Sequence, residues 1–280
     1  MDRLLIIDGS NLLFQMFFGM PARIVNSKGK AIQGTLGFVG AMLKIIRMTK
    51  PTHVIVVFDG EHENARADLN EDYKANRPDY SQVEDEDNPF SQLGDIYSAL
   101  DFMRVKYAET TDCETDDVVA AYALSCGGYT EVVISSFDSD FFQLITENIR
   151  VLRYRGDSTV VCDTEFVIDK FGVQPSAYAD FKSLVGDAAD NIRGADKVGA
   201  KTAAALINRY GCLENVLCRA ETIEKPSIRD SVIRNCERLK VNYRLIKLTD
   251  GATLPFDISK LAWQDSGMKT NDILIGIGLR

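Results

Sequence analysis

Nine acidic residues fall where strands and helices of this chain would end, and as a set they can hold metal ions. Asp8 and Asp59 each terminate a short apolar run, Leu4–Ile7 and Val54–Phe58. Glu114, Asp116 and Asp117 open an apolar helical stretch, more acids than a helix N-terminus needs. Asp138 and Asp140 follow a third apolar run, and alternate residues of extended chain point the same way. Asp187 and Asp190 stand three apart, a spacing that puts both on one face of a helix. Carboxylates gathered in one crevice repel unless cations neutralise them. Oxygen donors without histidine or thiolate suit Mg²⁺ or Mn²⁺ rather than zinc. So many acids predict two ion positions, and a pair of divalent ions about 3.5–4 Å apart serves phosphodiester cleavage. The competing reading of each acid alone is a helix cap or a solvated turn.

Charge and composition narrow the setting. With 32 Lys+Arg against 41 Asp+Glu the formal charge is −9, which by itself disfavours a nucleic acid partner. Without those nine acids the balance is zero, and without Glu84-Asp85-Glu86-Asp87 as well it is +4. The acidity is local. The six cysteines form no Cys-x-x-Cys pair and there are two histidines, His53 and His62, which argues against a zinc cluster. Scattered cysteines read as reduced thiols of a cytosolic protein. The apolar runs are too short for a bilayer, and Met1–Asp8 lacks the pattern of a secretory signal.

Basic residues complement the acids. Lys74 and Arg77, preceded by Arg66, can bind a scissile phosphate, and Tyr73 offers a ring for stacking a base; the ordinary alternative is a solvated loop. In the stretch from Gly194 to Thr202, Lys197, Gly199, Lys201 and Thr202 lie at a turn that opens a helix, where backbone N–H groups can hold a phosphate without reading sequence. The spacing is not that of a P-loop.

Alternating β-like runs (4–8, 53–59, 131–136) and helical ones (34–48, 116–125) predict an α/β fold with a mainly parallel sheet between helices. Residues 150–154 and 159–162 read as a hairpin. From about 164 onward the signals are helical, at 180–184, 201–210 and 226–248, so the expected division is an α/β core over 1–163 and a helical region over 164–280. The polar stretch 61–92 reads as an excursion from the sheet.

With these motifs assembled, the chain resembles the 5′-nuclease family: bacterial and phage 5′→3′ exonucleases, flap endonucleases and the 5′-nuclease domain of DNA polymerase I. The resemblance runs from residue 4 to about 250. It is carried by Ile7-Asp8-Gly-Ser, Val57-Phe58-Asp59, Arg66…Tyr73-Lys74…Arg77-Pro78, Glu114-Thr-Asp116-Asp117, Asp138-Ser-Asp140 and Gly186-Asp187-Ala-Ala-Asp190-Asn191 followed by Val198-Gly199-Ala-Lys201-Thr202. It implies a first metal site from Asp8, Asp59, Glu114 and Asp116, with Asp117 near both ions, and a second from Asp138, Asp140, Asp187 and Asp190. It implies Mg²⁺, two per site with Mn²⁺ able to substitute, a helical arch over 66–90 for a 5′ single strand, and a helix–hairpin–helix element over 184–210 that in the family often holds K⁺. The implied substrate is DNA with a 5′ flap or 5′ end, RNA primers included, cleaved in replication or repair by a cytoplasmic, nucleoid-associated monomer of bacterial or phage origin. Three positions depart from the family pattern: Lys197 and Phe137 replace usual glycines, and Ala65 replaces an aromatic before Arg66. The alternatives are a junction-binding protein with little catalysis, and a smaller RNA-cutting PIN-type nuclease.

Overall fold

The computed structural model describes residues 2–60, 66, 69–80, 82–126 and 130–280. Its main sheet contains β1 (Arg3–Asp8), β2 (His53–Phe58), β3 (Lys106–Glu109), β4 (Glu131–Ser135), β5 (Ile149–Arg153) and β6 (Val160–Cys162), in the order β3-β2-β1-β4-β5-β6. All neighbours pair in parallel except β5 and β6, which form the expected hairpin. Within β1, Leu4–Ile7 is apolar at every position because both faces are buried there. Leu4 and Ile6 enter one core with Ile55, Val57 and Ile134; Leu5 and Ile7 enter the other with Val54, Val56 and Val133.

Helices α1 (Gly9–Gly19), α2 (Gln33–Thr49) and α3 (Leu93–Phe102) cover the second face, and α4 (Thr115–Cys126) the first. The chain runs from β1 out to β2 and β3, then crosses back to β4 on the other side of β1. That reversal opens a crevice at the carboxyl ends of the strands. Asp8, Asp59 and Asp138 all lie just there.

The remainder is helical: α5 (Thr164–Phe171), α6 (Tyr178–Val185), α7 (Ala200–Tyr210), α8 (Leu213–Cys218), α9 (Pro226–Arg234), α10 (Cys236–Ile246) and α11 (Thr270–Gly276). The apolar cluster beneath α4 continues through Val167, Phe181, Ile207 and Leu239, so these helices share the core of the sheet. Residues 250–280, which carry no motif, return to it: Trp263 donates its indole N–H to the Met103 carbonyl at 3.0 Å, and Ile273 of α11 joins the core under α2.

Three expectations need correction. The helical stretch at 226–248 is broken at Asn235, whose side-chain amide turns back to the Ser231 carbonyl at 2.8 Å. Asp187 and Asp190 do not share a helix face. Gly186, at φ 88° and ψ 176°, ends α6 in a conformation essentially confined to glycine. The chain then forms a short ribbon of β7 (Gly186–Asp187) and β8 (Ile192–Arg193), and Asp190 sits in its turn. Of the excursion at 61–92 that contains the expected arch, residues 61–65, 67–68 and 81, Ala65 and His62 among them, lie outside the described residues. The described part from 69 to 88 consists of turns rather than helix; it lacks an apolar stripe and contains Pro78.

Candidate metal centre

The sheet ends position a first group of acids. Asp8 closes β1 and caps α1, accepting from the Asn11 N–H at 2.9 Å and from the Ser136 hydroxyl at 2.8 Å. Capping and crevice roles coexist in one side chain. Asp59 is exposed and accepts from the Thr115 N–H at 3.3 Å, which ties the start of α4 to the end of β2. Asp8, Asp59, Glu114, Asp116 and Asp138 line a crevice of about 620 Å³, together with Lys74 and Arg77. Burial and then Asp59 push the Asp8 carboxyl up to about 7. Burial and then Asp138 raise Asp116 well above the usual carboxylate range. Glu114 goes the other way: burial opposes its charge, but Lys74 and Arg66 outweigh that and hold it low.

Asp140, Asp187 and Asp190 form a second group, each offering one oxygen within 4.8 Å of the others. Asp138 stands between the groups and accepts from the Asp140 N–H at 2.8 Å. Burial pushes Asp140 up to about 7, against the pull of Lys182. Asp117 is set apart, paired with Arg66 at 2.6 Å. Acids that line one crevice, three of them raised chiefly by burial, and a second group with converging oxygens suit hard divalent cations.

Lys182 is the residue that sequence reasoning missed. It lies on α6 with a side chain only 7% exposed, and its ammonium pairs with Asp140, with Asp187 at 2.5 Å and with Ser139 Oγ at 3.3 Å. Its neighbours Phe181, Ser183 and Leu184 are buried as well, but no local sequence pattern sets this lysine apart from one on a solvated helix face. Ser136 and Asn11 were missed as well. Ser136 links Asp8 to the Asp138 N–H, and the Asn11 side chain accepts from the Phe137 N–H at 3.1 Å. At the mouth of the crevice Phe14, Tyr80 and Phe90 meet edge to face, with centroids 5.3–5.7 Å apart.

Arg66 and residues 69–80 lie over both groups. Arg66 bridges Glu114 and Asp117, Lys74 reaches Glu114 at 2.8 Å, and Arg77 reaches Asp190 at 3.0 Å. Lys74 adopts a left-handed backbone, and its N–H donates to the Asp190 carbonyl. Tyr73 departs from its expected role. Its ring is buried among Ala179, Ile192, Leu245 and Ile246 and its hydroxyl donates to Glu114 at 3.1 Å, so no ring face is open to a base. Lys197 and Lys201 are exposed, and Gly199 precedes α7. Lys197 stands at φ 64°, which explains why glycine is the easier residue there.

Residues 3–172 match the family described as 5′-3′ exonuclease, N-terminal resolvase-like domain, and residues 173–269 match 5′-3′ exonuclease, C-terminal SAM fold. The chain belongs to the 5′-3′ exonuclease family. Among its relatives, a 5′-3′ exonuclease of Aquifex aeolicus is 34% identical over 251 residues, covering 89% of this chain and 82% of that protein. A DNA polymerase I of Rhizobium leguminosarum is 31% identical over 268 residues, 93% of this chain, which spans only 26% of that protein. The fold is that of T5 5′-exonuclease with bound zinc, at TM-score 0.71 and 22% identity over 87% of this chain and 89% of that one. The catalytic core of Rad2 in complex with DNA substrate aligns at TM-score 0.59 and 16% identity over 99% of this chain and 92% of that one.

Proposed function

We propose that this member of the family is a structure-specific 5′-nuclease that hydrolyses DNA phosphodiesters at 5′ flaps and 5′ ends, in primer and flap processing or repair. Membership in the exonuclease family and the paired acid groups beside Lys74 and Arg77 support this reading. Related folds whose descriptions name DNA and metal ions support it further. The observation that carries it is the meeting of Asp8, Asp59, Glu114, Asp116 and Asp138 in one crevice with the Asp140–Asp187–Asp190 group behind them.

The first group would hold one divalent cation and the second another, Mg²⁺ with Mn²⁺ able to substitute. Such ions supply Lewis-acid activation of water and charge stabilisation at the leaving oxygen. The chain's own residues do the rest. Lys74 and Arg77 set two positive charges at the crevice wall, where a scissile phosphate would be held and its developing charge offset. Phe14, Tyr80 and Phe90 present rings on which an unpaired base can stack. Lys197 precedes α7 and Lys201 lies in its first turn, a helix start that suits the phosphates of a duplex. A K⁺ ion at this hairpin would draw on main-chain carbonyls, of which those of Arg193, Gly194 and Asp196 already accept from Asn242, Arg238 and Ser231. The division between nuclease core and helical region near residue 163 belongs to the same proposal.

The test is cleavage of a labelled 5′-flap duplex in Mg²⁺ by the wild type, Asp190→Ala and Lys74→Ala. The wild type should cut near the junction, both variants should lose at least a hundredfold in rate, and EDTA should abolish cleavage. Full activity in both variants would refute the assignment. Tight flap binding by the wild type with no product in Mg²⁺ or Mn²⁺ would establish the junction-binding alternative.

A further inference from the structure

The second acid group already contains a cation of the protein's own. Lys182 enters from α6, beneath the group, and its ammonium lies between Asp140 and Asp187. Its third donor goes to Ser139 Oγ, so all three N–H bonds are used. The side chain is almost wholly enclosed, and Asp140 and Asp190 are buried with it. Two of the three carboxylates that would chelate an ion thus already share the Lys182 ammonium at contact distance, and the third, Asp190, pairs with Arg77. Lys74, Arg66 and Arg77 also neutralise acids, but they come from the overlying residues 66 and 69–80, and Arg77 is 52% exposed. Lys182 comes from a helix packed into the core.

We propose that Lys182 is the resident cation of the second metal position, which a divalent ion has to displace, so that this lysine sets the affinity of the second ion below that of the first. The inference rests on the two-ion reading above. Without its lysine the group would hold carboxylates facing one another with one positive partner fewer, an arrangement that destabilises the metal-free fold and strengthens divalent binding. In the wild type the ammonium keeps the acids compact before an ion arrives, at a cost in affinity. The second ion would then load only at higher metal concentration, making the enzyme's activity steeply dependent on free divalent metal.

The experiment counts Mn²⁺ ions by electron paramagnetic resonance and isothermal calorimetry in wild type, Lys182→Met and Lys182→Gln. Melting temperatures are recorded in EDTA and in saturating Mn²⁺. Neither readout needs activity, and the Gln variant retains a polar partner for Ser139 should the Met variant fail to fold. The expected result is two ions in all three proteins, with the second bound at least tenfold more tightly in the variants. The variants should melt below the wild type in EDTA, and the deficit should close in Mn²⁺. Two ions with unchanged second-site affinity in the variants would overturn this role for Lys182 while leaving the two-ion reading intact. A single ion in every protein would overturn both.

Discussion

Replacing Gly186 by alanine should abolish the second ion site and spare the first. A Cβ at this position would lie 2.4 Å from the Gly194 nitrogen and 2.5 Å from the Ile192 carbonyl oxygen, both backbone atoms that cannot swing aside. The backbone angles, φ 88° and ψ 176°, add a strain of about 1–3 kcal/mol for any other residue. The ribbon of β7 and β8 has to open to admit the methyl. Opening it puts at risk the Ala195 N–H to Leu184 carbonyl bond and the bonds from Asn242 to the Ser183 and Arg193 carbonyls, each worth about 1 kcal/mol. With all three bonds lost the total is about 4–6 kcal/mol, concentrated where Asp187 and Asp190 are aimed. Asp8, Asp59, Glu114 and Asp116 are positioned by the sheet and α4 and should be untouched. Denaturant unfolding in EDTA measures the stability loss, and a Mn²⁺ titration counts the ions, expected to fall from two to one. Gly94→Ala is the control: it is exposed on α3 with nothing near its Cβ, and should gain about 0.5–1 kcal/mol. Two ions bound by Gly186→Ala at wild-type stability would refute the reasoning.

Further outcomes follow from the same geometry. The Asp8 carboxyl is held near 7 in the metal-free fold, above its unfolded value of about 3.9, so its contribution to stability is complete below pH 4 and lost as pH rises toward 7. In EDTA, wild type should therefore lose up to about 1.4 kcal/mol per pH unit relative to Asp8→Asn between pH 5 and 7; an unchanging difference would contradict the burial argument. Tyr122→Phe removes a hydroxyl that donates to the Phe256 carbonyl and accepts from its N–H, and should cost about 2–4 kcal/mol in unfolding free energy. A loss below about 0.5 kcal/mol would show that the 250–280 strap is not anchored there. Phe14→Ala should weaken binding of a flap carrying unpaired bases by about 1–3 kcal/mol while leaving blunt duplex affinity unchanged, measured by fluorescence anisotropy.

What could be read from the chain depended on whether local pattern carried the geometry. Asp8, Asp59 and Asp138 were legible because a buried parallel strand is a continuous apolar run and its end faces the crevice. Asp187 and Asp190 were recognised as a pair, but their spacing was assigned to a helix. The glycine backbone that ends α6 depends on close contact with Gly194, which no local pattern records. Lys182 escaped notice because a lysine on a helix ordinarily points to water, and only the tertiary placement of α6 buries it against acids. Tyr73 offered a ring beside two cations, yet packing against α6 and α10 claims that ring. The return of residues 250–280 to the sheet rests on contacts such as Trp263 to Met103, 160 positions apart in sequence.

The most direct measurement of the account is anomalous diffraction from a crystal equilibrated with saturating Mn²⁺. Two peaks about 3.5–4 Å apart are predicted. One should be ligated from the Asp8, Asp59, Glu114 and Asp116 side, the other by Asp140, Asp187 and Asp190 with the Lys182 ammonium moved away. No peak at the strand ends, or acids turned away from one another around a single weak peak, would contradict it.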